Sequence, residues 1–379
     1  MRVVSAALLL LSLNLATAWA QVEINAQTPE GQLLTQASQE SDPAKKVALL
    51  EEFFGKYPDH ETATFAYAQA VPAYVALQNY PKALEAGEKL LAKQPENVHM
   101  AHECLKAAEA SKDPAAVIKW AGLTSQCARK AAAKPKPQDA DEAEEWKQEV
   151  DYAKQVDVYT EYALYATALQ TADPKQRIAL AQTLRQQNPA SEYLPKVVNQ
   201  EFLAYQQVGD NAAAAALAEK VVQTDQSNED MLLAVANSYT EQKKEPEKVL
   251  EYSQKVVDLL ASKPAPEGVS PADWEKKKKL STGLAHFLMG VTYAGQNKFP
   301  QADKSMRAAL PLIEENEQLK AGTLFHLGVA NYRMGDTAGD NAQILEAYRF
   351  TQQCAAIKGP YQAVAQKNLA GIRAKYHIK

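Results

Sequence analysis

The sequence is poor in the residues that make sharp turns and extended strands. Only 15 of its 379 residues are glycine, about 4% of the chain against the roughly 7% that is usual. All-β proteins need glycine at their turns and β-branched residues in their strands, so this shortage argues against that class. Alanine, the strongest helix former, supplies 67 residues instead. A charged fraction of 23% beside a hydrophobic fraction of 46% argues against a disordered chain.

Cysteine is also scarce, with only Cys104, Cys127 and Cys354. An odd number leaves at least one thiol without a partner in the chain. On an antiparallel helix pair that turns near Lys112, Cys104 and Cys127 would be offset by about six residues, or about 9 Å. That offset is beyond comfortable disulfide reach. We therefore expect three buried thiols.

Motifs of catalysis are missing as well. No glycine-rich phosphate loop, nucleophile elbow or paired-carboxylate arrangement stands out in the sequence. His99, His102 and Glu103 fall on one helical turn, but no second cluster of metal ligands accompanies them. We interpret them as solvated residues at the start of a helix. The sequence predicts a protein that is not an enzyme, with no catalytic residues, no metal site and no cofactor.

The charge of the chain has little excess of either sign. The formal net charge is −5, from 41 basic and 46 acidic side chains. A mildly acidic protein has no general attraction for nucleic acids or anionic lipids. We expect no nucleic-acid partner. An acidic run (Asp139 to Glu145) and a basic run (Lys276 to Lys279) are interpreted as solvated ends of two long helices.

The first twenty residues differ from the rest. Arg2 is their only charged side chain, residues 6–16 are mostly apolar, and Ala18-Trp19-Ala20 places small residues where a signal peptidase reads. The apolar stretch is about half as long as the ~20 residues needed to span a bilayer. We predict a signal peptide over residues 1–20, with cleavage before Gln21 and a periplasmic or secreted product. No later stretch predicts a transmembrane helix.

From residue 28 onward, helix signals alternate with short turns. Asp42-Pro43, Asp113-Pro114 and Asp173-Pro174 each offer an N-cap residue followed by a proline at the first helical position. Between such marks, apolar residues recur at spacings of three and four, which is typical of amphipathic helices. We expect about seventeen helices and no sheet.

A long internal repeat organises these helices. When the chain is shifted by 131 residues, 14 of the 59 positions between 42 and 100 are identical. Trp146 matches Trp274 at a slightly different shift, and a fainter third copy follows. The repeat predicts three blocks after the signal peptide, covering residues 21–138, 139–270 and 271–379. The second block duplicates the first and begins with a long helix, and the third ends in a capping helix.

A shorter repeat lies within the blocks. Its spacing is carried by a set of aromatic, small and proline residues: Tyr67, Tyr74, Tyr80, Ala83, Leu90 and Pro95. Related sets are Gly290, Tyr293, Phe299 and Ala302, and then Leu324, Leu327, Gly328 and Tyr332. In these positions the chain resembles the tetratricopeptide repeat (TPR) family, whose unit is a pair of helices of about 34 residues. Residues 139–171 depart from the consensus, because the stretch is too long for one repeat helix and its tyrosines fit poorly.

The resemblance implies an all-α fold, a right-handed α-solenoid of about eight TPR-like helix pairs closed by a C-terminal helix. It also implies binding of a protein or peptide in a concave face lined by the first helix of each pair. Carrying over the repeat register predicts these partner-binding positions: Lys196, Asn199, Gln206, Asn237, Phe287, Phe325 and Arg333.

The sequence is compatible with three functions. The leading hypothesis is a non-enzymatic exported scaffold that binds a protein or peptide of the cell envelope. An alternative is a subunit of an outer-membrane or envelope assembly machine, although no cysteine follows the apolar run to accept a lipid. A helical protein that binds a glycan or a small molecule is the third.

Overall fold

The computed structural model describes residues 24–378 of the chain. The predicted signal peptide and its cleavage site lie outside these residues. The described part contains seventeen α-helices and one short 3-10 helix, and no strand. The predicted all-α fold class is confirmed.

The described residues divide into two compact units between Glu201 and Phe202, and the division falls inside the ninth helix. The helices that precede it are α1 (Pro29–Gln39), α2 (Pro43–Lys56), α3 (Ala63–Ala76), α4 (Tyr80–Lys93), α5 (Val98–Ala110), α6 (Pro114–Ala132), α7 (Ala140–Gln170) and α8 (Pro174–Gln187). The dividing helix is α9 (Leu194–Gln207). The helices that follow are α10 (Asn211–Val221), α11 (Glu229–Glu241), α12 (Pro246–Ser262), α13 (Pro271–Gly295), α14 (Phe299–Ala309), α15 (Glu317–Ala338), α16 (Asn341–Ala356) and α17 (Gln362–Tyr376).

The helices follow one another in pairs. In chain order the first sixteen helices form eight consecutive pairs joined by short turns, and α17 packs on α16. In the first unit, the first helices of successive pairs also touch directly, α3 against α5 and α5 against α7. In the second unit, α11, α13 and α15 do the same. Each unit therefore has a layer of first helices, called here the first-helix layer.

Local sequence accounts for where the helices begin. Asp42, Asp113, Asp139 and Asp173 each accept hydrogen bonds from backbone amides in the first turn of the helix that follows them. These amides have no partner inside the helix, so a carboxylate there stabilises both the hydrogen bonds and the helix dipole. The aspartate–proline signals read in the sequence are thus confirmed as helix starts.

Most turns between the two helices of a pair contain a residue in the left-handed backbone conformation. In six of them a residue with positive φ lies between the two helices: Gln78, Lys112, Gly209, Lys243, Asn297 and Gly339. A left-handed residue just past a helix end reverses the chain direction, and it usually is glycine. Four of the six positions hold a residue with a side chain, so these turns retain backbone strain.

Small residues allow the helices to pack closely. Ala83 is fully buried on α4, and Ala214 is buried on α10, where the repeat predicts close helix approach. Gly87 on α4 faces the Cys104 thiol and the Trp120 ring. The three cysteines are buried and unpaired, as expected from the sequence.

The helix α7 is the longest of those described, and α13 is the next longest. α7 has 31 residues and α13 has 25, which confirms that residues 139–171 form a helix too long for the repeat consensus. α3 continues through Pro72, although proline removes one helical hydrogen bond there.

Candidate functional site

A line of exposed side chains runs along α7. Gln148, Asp151, Gln155, Val158, Tyr162, Tyr165 and Leu169 follow one another at alternating spacings of three and four. That spacing places them on one face of the helix, as in the seam of a coiled coil. All are exposed except Tyr165, which is half-buried. We call this line the α7 seam.

The C-terminal half of the α7 seam is apolar. Val158, Tyr162 and Leu169 leave 52%, 45% and 44% of their surfaces exposed. Single exposed apolar residues are common on protein surfaces, but a contiguous row marks a site of interaction. The row is therefore the leading candidate for a contact surface in the first unit.

Further aromatic rings lie on both sides of the α7 seam. They join α5, α7 and the residue before α9 into one cluster: His99, His102, Tyr152, Tyr159, Tyr162, Tyr165 and Tyr193. The ring centroids of His99 and Tyr152 are stacked 4.2 Å apart, and those of Tyr165 and Tyr193 are 5.2 Å apart. Tyr162 lies between the two ends, 6.0 Å from Tyr159 and 6.0 Å from Tyr193.

Hydrogen bonds hold the half of this cluster nearest α5. The Tyr152 hydroxyl and the His102 Nδ1 are 2.9 Å apart, and the Tyr159 hydroxyl donates to Glu109 at 2.8 Å. Burial lowers the pKa of His102 to about 4, so its ring is neutral at pH 7. Burial raises the pKa of Tyr152 to about 12 and also raises the pKa of Glu109. This half is a fixed support, and Tyr162 is the exposed ring beside it.

The predicted partner-binding residues of α9 are at the surface. Lys196, Asn199 and Gln206 are all exposed. The Lys196 ammonium donates to Glu192 at 3.0 Å and lies 4.6 Å from the centre of the Tyr193 ring. Lys196 thus borders the aromatic cluster of the first unit. Their part in binding stays a prediction.

The predicted residues of the second unit are spread over three first helices. Asn237 on α11 is half-buried and donates to Glu241 at 2.9 Å. Arg333 on α15 is exposed. Phe287 on α13 and Phe325 on α15 are half-buried and meet through His326, whose ring lies 6.2 Å and 5.4 Å from theirs.

The two phenylalanines belong to a second, more enclosed aromatic cluster. Tyr361 closes it, 5.1 Å from Phe325. Gly322 brings α15 so near that an added Cβ would lie 3.1 Å from Phe287. Burial lowers the pKa of His326 to about 4. The structure places Phe287 and Phe325 together, but as packed rings that offer less open surface than Tyr162 does.

Sequence reasoning missed the tyrosines of α7 as a candidate site. It had set them apart because they fit the repeat consensus poorly. The signal that could have found them is the unbroken seven-residue spacing from Gln148 through Gln155 and Tyr162 to Leu169. A heptad spacing on a helix that also contains buried residues predicts a second contact face.

Part of the basic run near the start of α13 forms ion pairs within the fold. Lys277 donates to Glu229 at 3.1 Å and to Asp230 at 2.7 Å, and Lys263 also pairs with Glu229. Glu229 is 3% exposed. Burial by itself raises the pKa of Glu229, but hydrogen bonds from Lys263 and Lys277 outweigh it and hold that pKa below its ordinary value. An open cleft of about 1000 Å³ lies beside the remaining lysines, Lys276, Lys278 and Lys279.

Residues 24–378 contain no group of three or more histidine, cysteine, aspartate or glutamate side chains placed to hold a metal ion. Within the same residues, no helix has the length and apolar character needed to cross a membrane.

Comparisons with known proteins give structural likeness alone. No protein-family model matches the chain, and no curated protein matches its sequence. The chain is similar to the crystal structure of the P58(IPK) TPR domain, with a TM-score of 0.32 and 10% identity, over 92% of this chain and 97% of that one. It is also similar to yeast Tom70, with a TM-score of 0.24 and 11% identity, over 93% of this chain and 97% of that one.

Proposed function

We propose that this protein is a non-enzymatic scaffold that binds a protein or peptide partner on the first-helix layer. The observation that carries the proposal is the α7 seam, a row of exposed side chains with an apolar half and a rigid aromatic support. Aromatic residues on a fixed backbone contribute much contact area at low cost in conformational entropy. The seam is therefore suited to a specific protein contact.

The proposed place of action is the cell envelope or the exterior. It rests on the sequence of residues 1–20, with its single Arg2, its apolar stretch and its small residues before Gln21. Cell fractionation followed by N-terminal sequencing tests this. A mature chain that begins at Gln21 in the exported fraction supports export, and a full-length chain in the cytosol contradicts it.

Site-specific photo-cross-linking tests the scaffold function. A photoreactive phenylalanine analogue replaces Tyr162 in the full chain, and in a control chain it replaces Leu345 on α16, whose exposed fraction is the same 45%. We expect light-dependent products from position 162 that position 345 does not give. If both positions give the same products, or neither gives any, the first-helix layer of the first unit is not the binding surface.

A further inference from the structure

The partner's chemistry can be read from the α7 seam, and this step rests on the proposed function. We propose that the α7 seam binds an amphipathic helix of another protein that has apolar residues in one half of its contact face and lysine or arginine in the other.

The geometry favours a helix as the occupant. The seam positions from Gln148 to Leu169 alternate in steps of three and four, which is the a/d pattern that receives side chains of an adjacent helix. At 1.5 Å per residue they span about 32 Å, the length of a helix of about 21 residues. An extended segment would match a strand edge or a groove with a period of two, and α7 offers neither.

The charge distribution divides the seam. Its N-terminal half has the polar side chains Gln148, Asp151 and Gln155, and Glu144 lies one heptad before Asp151. α7 carries eight acidic and two basic side chains. A partner with cations opposite Asp151 and Glu144 would compensate this charge.

Not every charge of α7 is available to a partner. Asp157 binds Arg129 at 2.9 Å and Glu161 is buried, so these two face the helix pairs. The two basic residues, Lys147 and Lys154, lie to one side of the seam, where they would select acidic flanking residues in a partner helix. The acidic excess therefore concerns the N-terminal half of the open face.

The rings of the other half suit apolar side chains. Tyr162 and Tyr193 make no side-chain hydrogen bond through their hydroxyls among the residues that the structure describes. The chain itself places the Lys196 ammonium over the Tyr193 ring. Because this cation already occupies the ring face, a partner would place apolar side chains beside Tyr162 and its own cations opposite the acidic half.

A second copy of this chain is a poorer occupant. Parallel pairing of two α7 helices would set Asp151 and Glu144 against the same residues of the other copy, and like charges repel. Antiparallel pairing along the seam would set Asp151 opposite Tyr165 and Gln148 opposite Leu169 of the other copy, which would place a charge and a polar group against the apolar half.

Titration with designed peptides tests the proposal. The probe is a labelled, alanine-based helical peptide of about 21 residues, with leucine at the contact positions of one half and lysine at those of the other. A matched peptide carries glutamate in place of lysine. Fluorescence anisotropy with the mature protein is expected to show binding of the lysine peptide, at least tenfold tighter than binding of the glutamate peptide, and weakened by added salt.

Reversing the charges on the seam tests the proposal more stringently. The double substitution Glu144→Lys and Asp151→Lys is expected to weaken the lysine peptide at least tenfold and to strengthen the glutamate peptide. The matched control is Glu142→Lys, an exposed residue on the same helix that lies neither on the seam nor beside it, which should change either affinity less than threefold. Circular dichroism confirms that each variant keeps its helices.

The outcomes separate this proposal from the proposed function. If the lysine peptide fails to bind, or binds the reversed variant equally well, the basic-helix proposal is wrong. If at the same time cross-links from position 162 persist, the scaffold function stands with another kind of partner. Analytical ultracentrifugation adds one more check, because a dimer abolished by Tyr162→Ala would make a second copy the occupant and overturn the proposal.

Discussion

Gly87 shows how much one missing side chain matters in this packing. A Cβ at Gly87 would collide with the Cys104 thiol and lie 2.9 Å from the Trp120 ring. At Gly122 on α6 nothing lies within 4 Å of the same added atom. Both glycines lie inside helices. A comparison of the same substitution at the two positions therefore separates the effect of core packing from that of helix propensity.

We therefore expect opposite effects of the same substitution. Gly87→Ala should lower the free energy of unfolding by about 1–3 kcal/mol, because the core must shift to admit a methyl group. Gly122→Ala should raise it by up to about 1 kcal/mol through helix propensity. Urea denaturation followed by circular dichroism measures both. Equal effects would mean that the Gly87 contact does not constrain the core.

Glu229 is the residue through which pH should act on the second unit. Its pKa in the folded state is held below its ordinary value by Lys263 and Lys277. A lowered folded-state pKa contributes stability above the unfolded-state pKa, and that contribution is lost as pH falls through the folded-state pKa. The ion pairs should thus be fully effective at neutral pH and lose strength in acid, below the ordinary value of 4.5.

Glu229→Gln should destabilise the protein at pH 7 by about 1–3 kcal/mol, because Lys263 and Lys277 lose a charged acceptor. The difference between wild type and variant should shrink below pH 4.5 as the wild-type carboxylate takes up a proton. Glu251→Gln, at an exposed position of α12, serves as the control. Thermal unfolding at several pH values gives the measurement, and a difference that stays constant in acid would contradict the assignment.

At the scale of the element, the turns between paired helices contain backbone strain that a substitution can relieve. Lys112 has a φ of 58° between α5 and α6, the backbone region that Gly209 occupies between α9 and α10. A side chain there crowds the neighbouring carbonyl, at a cost of about 1–2 kcal/mol. Glycine relieves the crowding but loses more conformational entropy on folding.

Lys112→Gly should therefore stabilise the protein by up to about 1 kcal/mol. The control is Lys106→Gly, at an exposed position inside α5, which should cost about 1 kcal/mol because glycine is a poor helix former. Chemical denaturation of the two variants checks the signs. Destabilisation by both would show that the turn holds Lys112 by contacts that outweigh the backbone strain.

The helices illustrate which local features a sequence discloses. Asp113-Pro114 and Asp173-Pro174 were readable as helix starts because an N-cap acts within three residues of itself. The α7 seam was not predicted, because the four tyrosines of α7 were compared only with the repeat consensus, which they fit poorly. The hydrogen bonds of Tyr152 with His102 and of Tyr159 with Glu109 join residues 50 positions apart, and such pairing depends on how α5 and α7 pack.

At the scale of the whole molecule, periodicity was the stronger guide. The 131-residue repeat and the spacing of small residues predicted paired helices, and the eight pairs followed by α17 agree with it. Surface positions such as Lys196 and Gln206 followed from the repeat register alone. Periodicity cannot supply the packed state of a side chain: Phe287 and Phe325 lie in a partly enclosed cluster, and their part in partner binding stays a prediction.

The main contacts inside each unit join α-helices that are neighbours or next-but-one neighbours among the described α-helices. In such an array, stability is close to a sum of nearest-neighbour terms. Gly87→Ala should therefore speed amide hydrogen exchange in α3 to α6 and leave α13 to α16 at wild-type rates, as read by mass spectrometry. Uniform acceleration along the chain would contradict this locality.

The same short reach of contacts bears on how quickly the protein gains its structure. Contacts between near neighbours in sequence require only small loops to close, and loop closure is the entropic barrier that slows folding. Each pair of helices can form as soon as its own residues and those of the preceding pair are present. Folding can then advance along the chain while later pairs are still being synthesised, and an intermediate would expose no more than one unpaired helical face at its growing end.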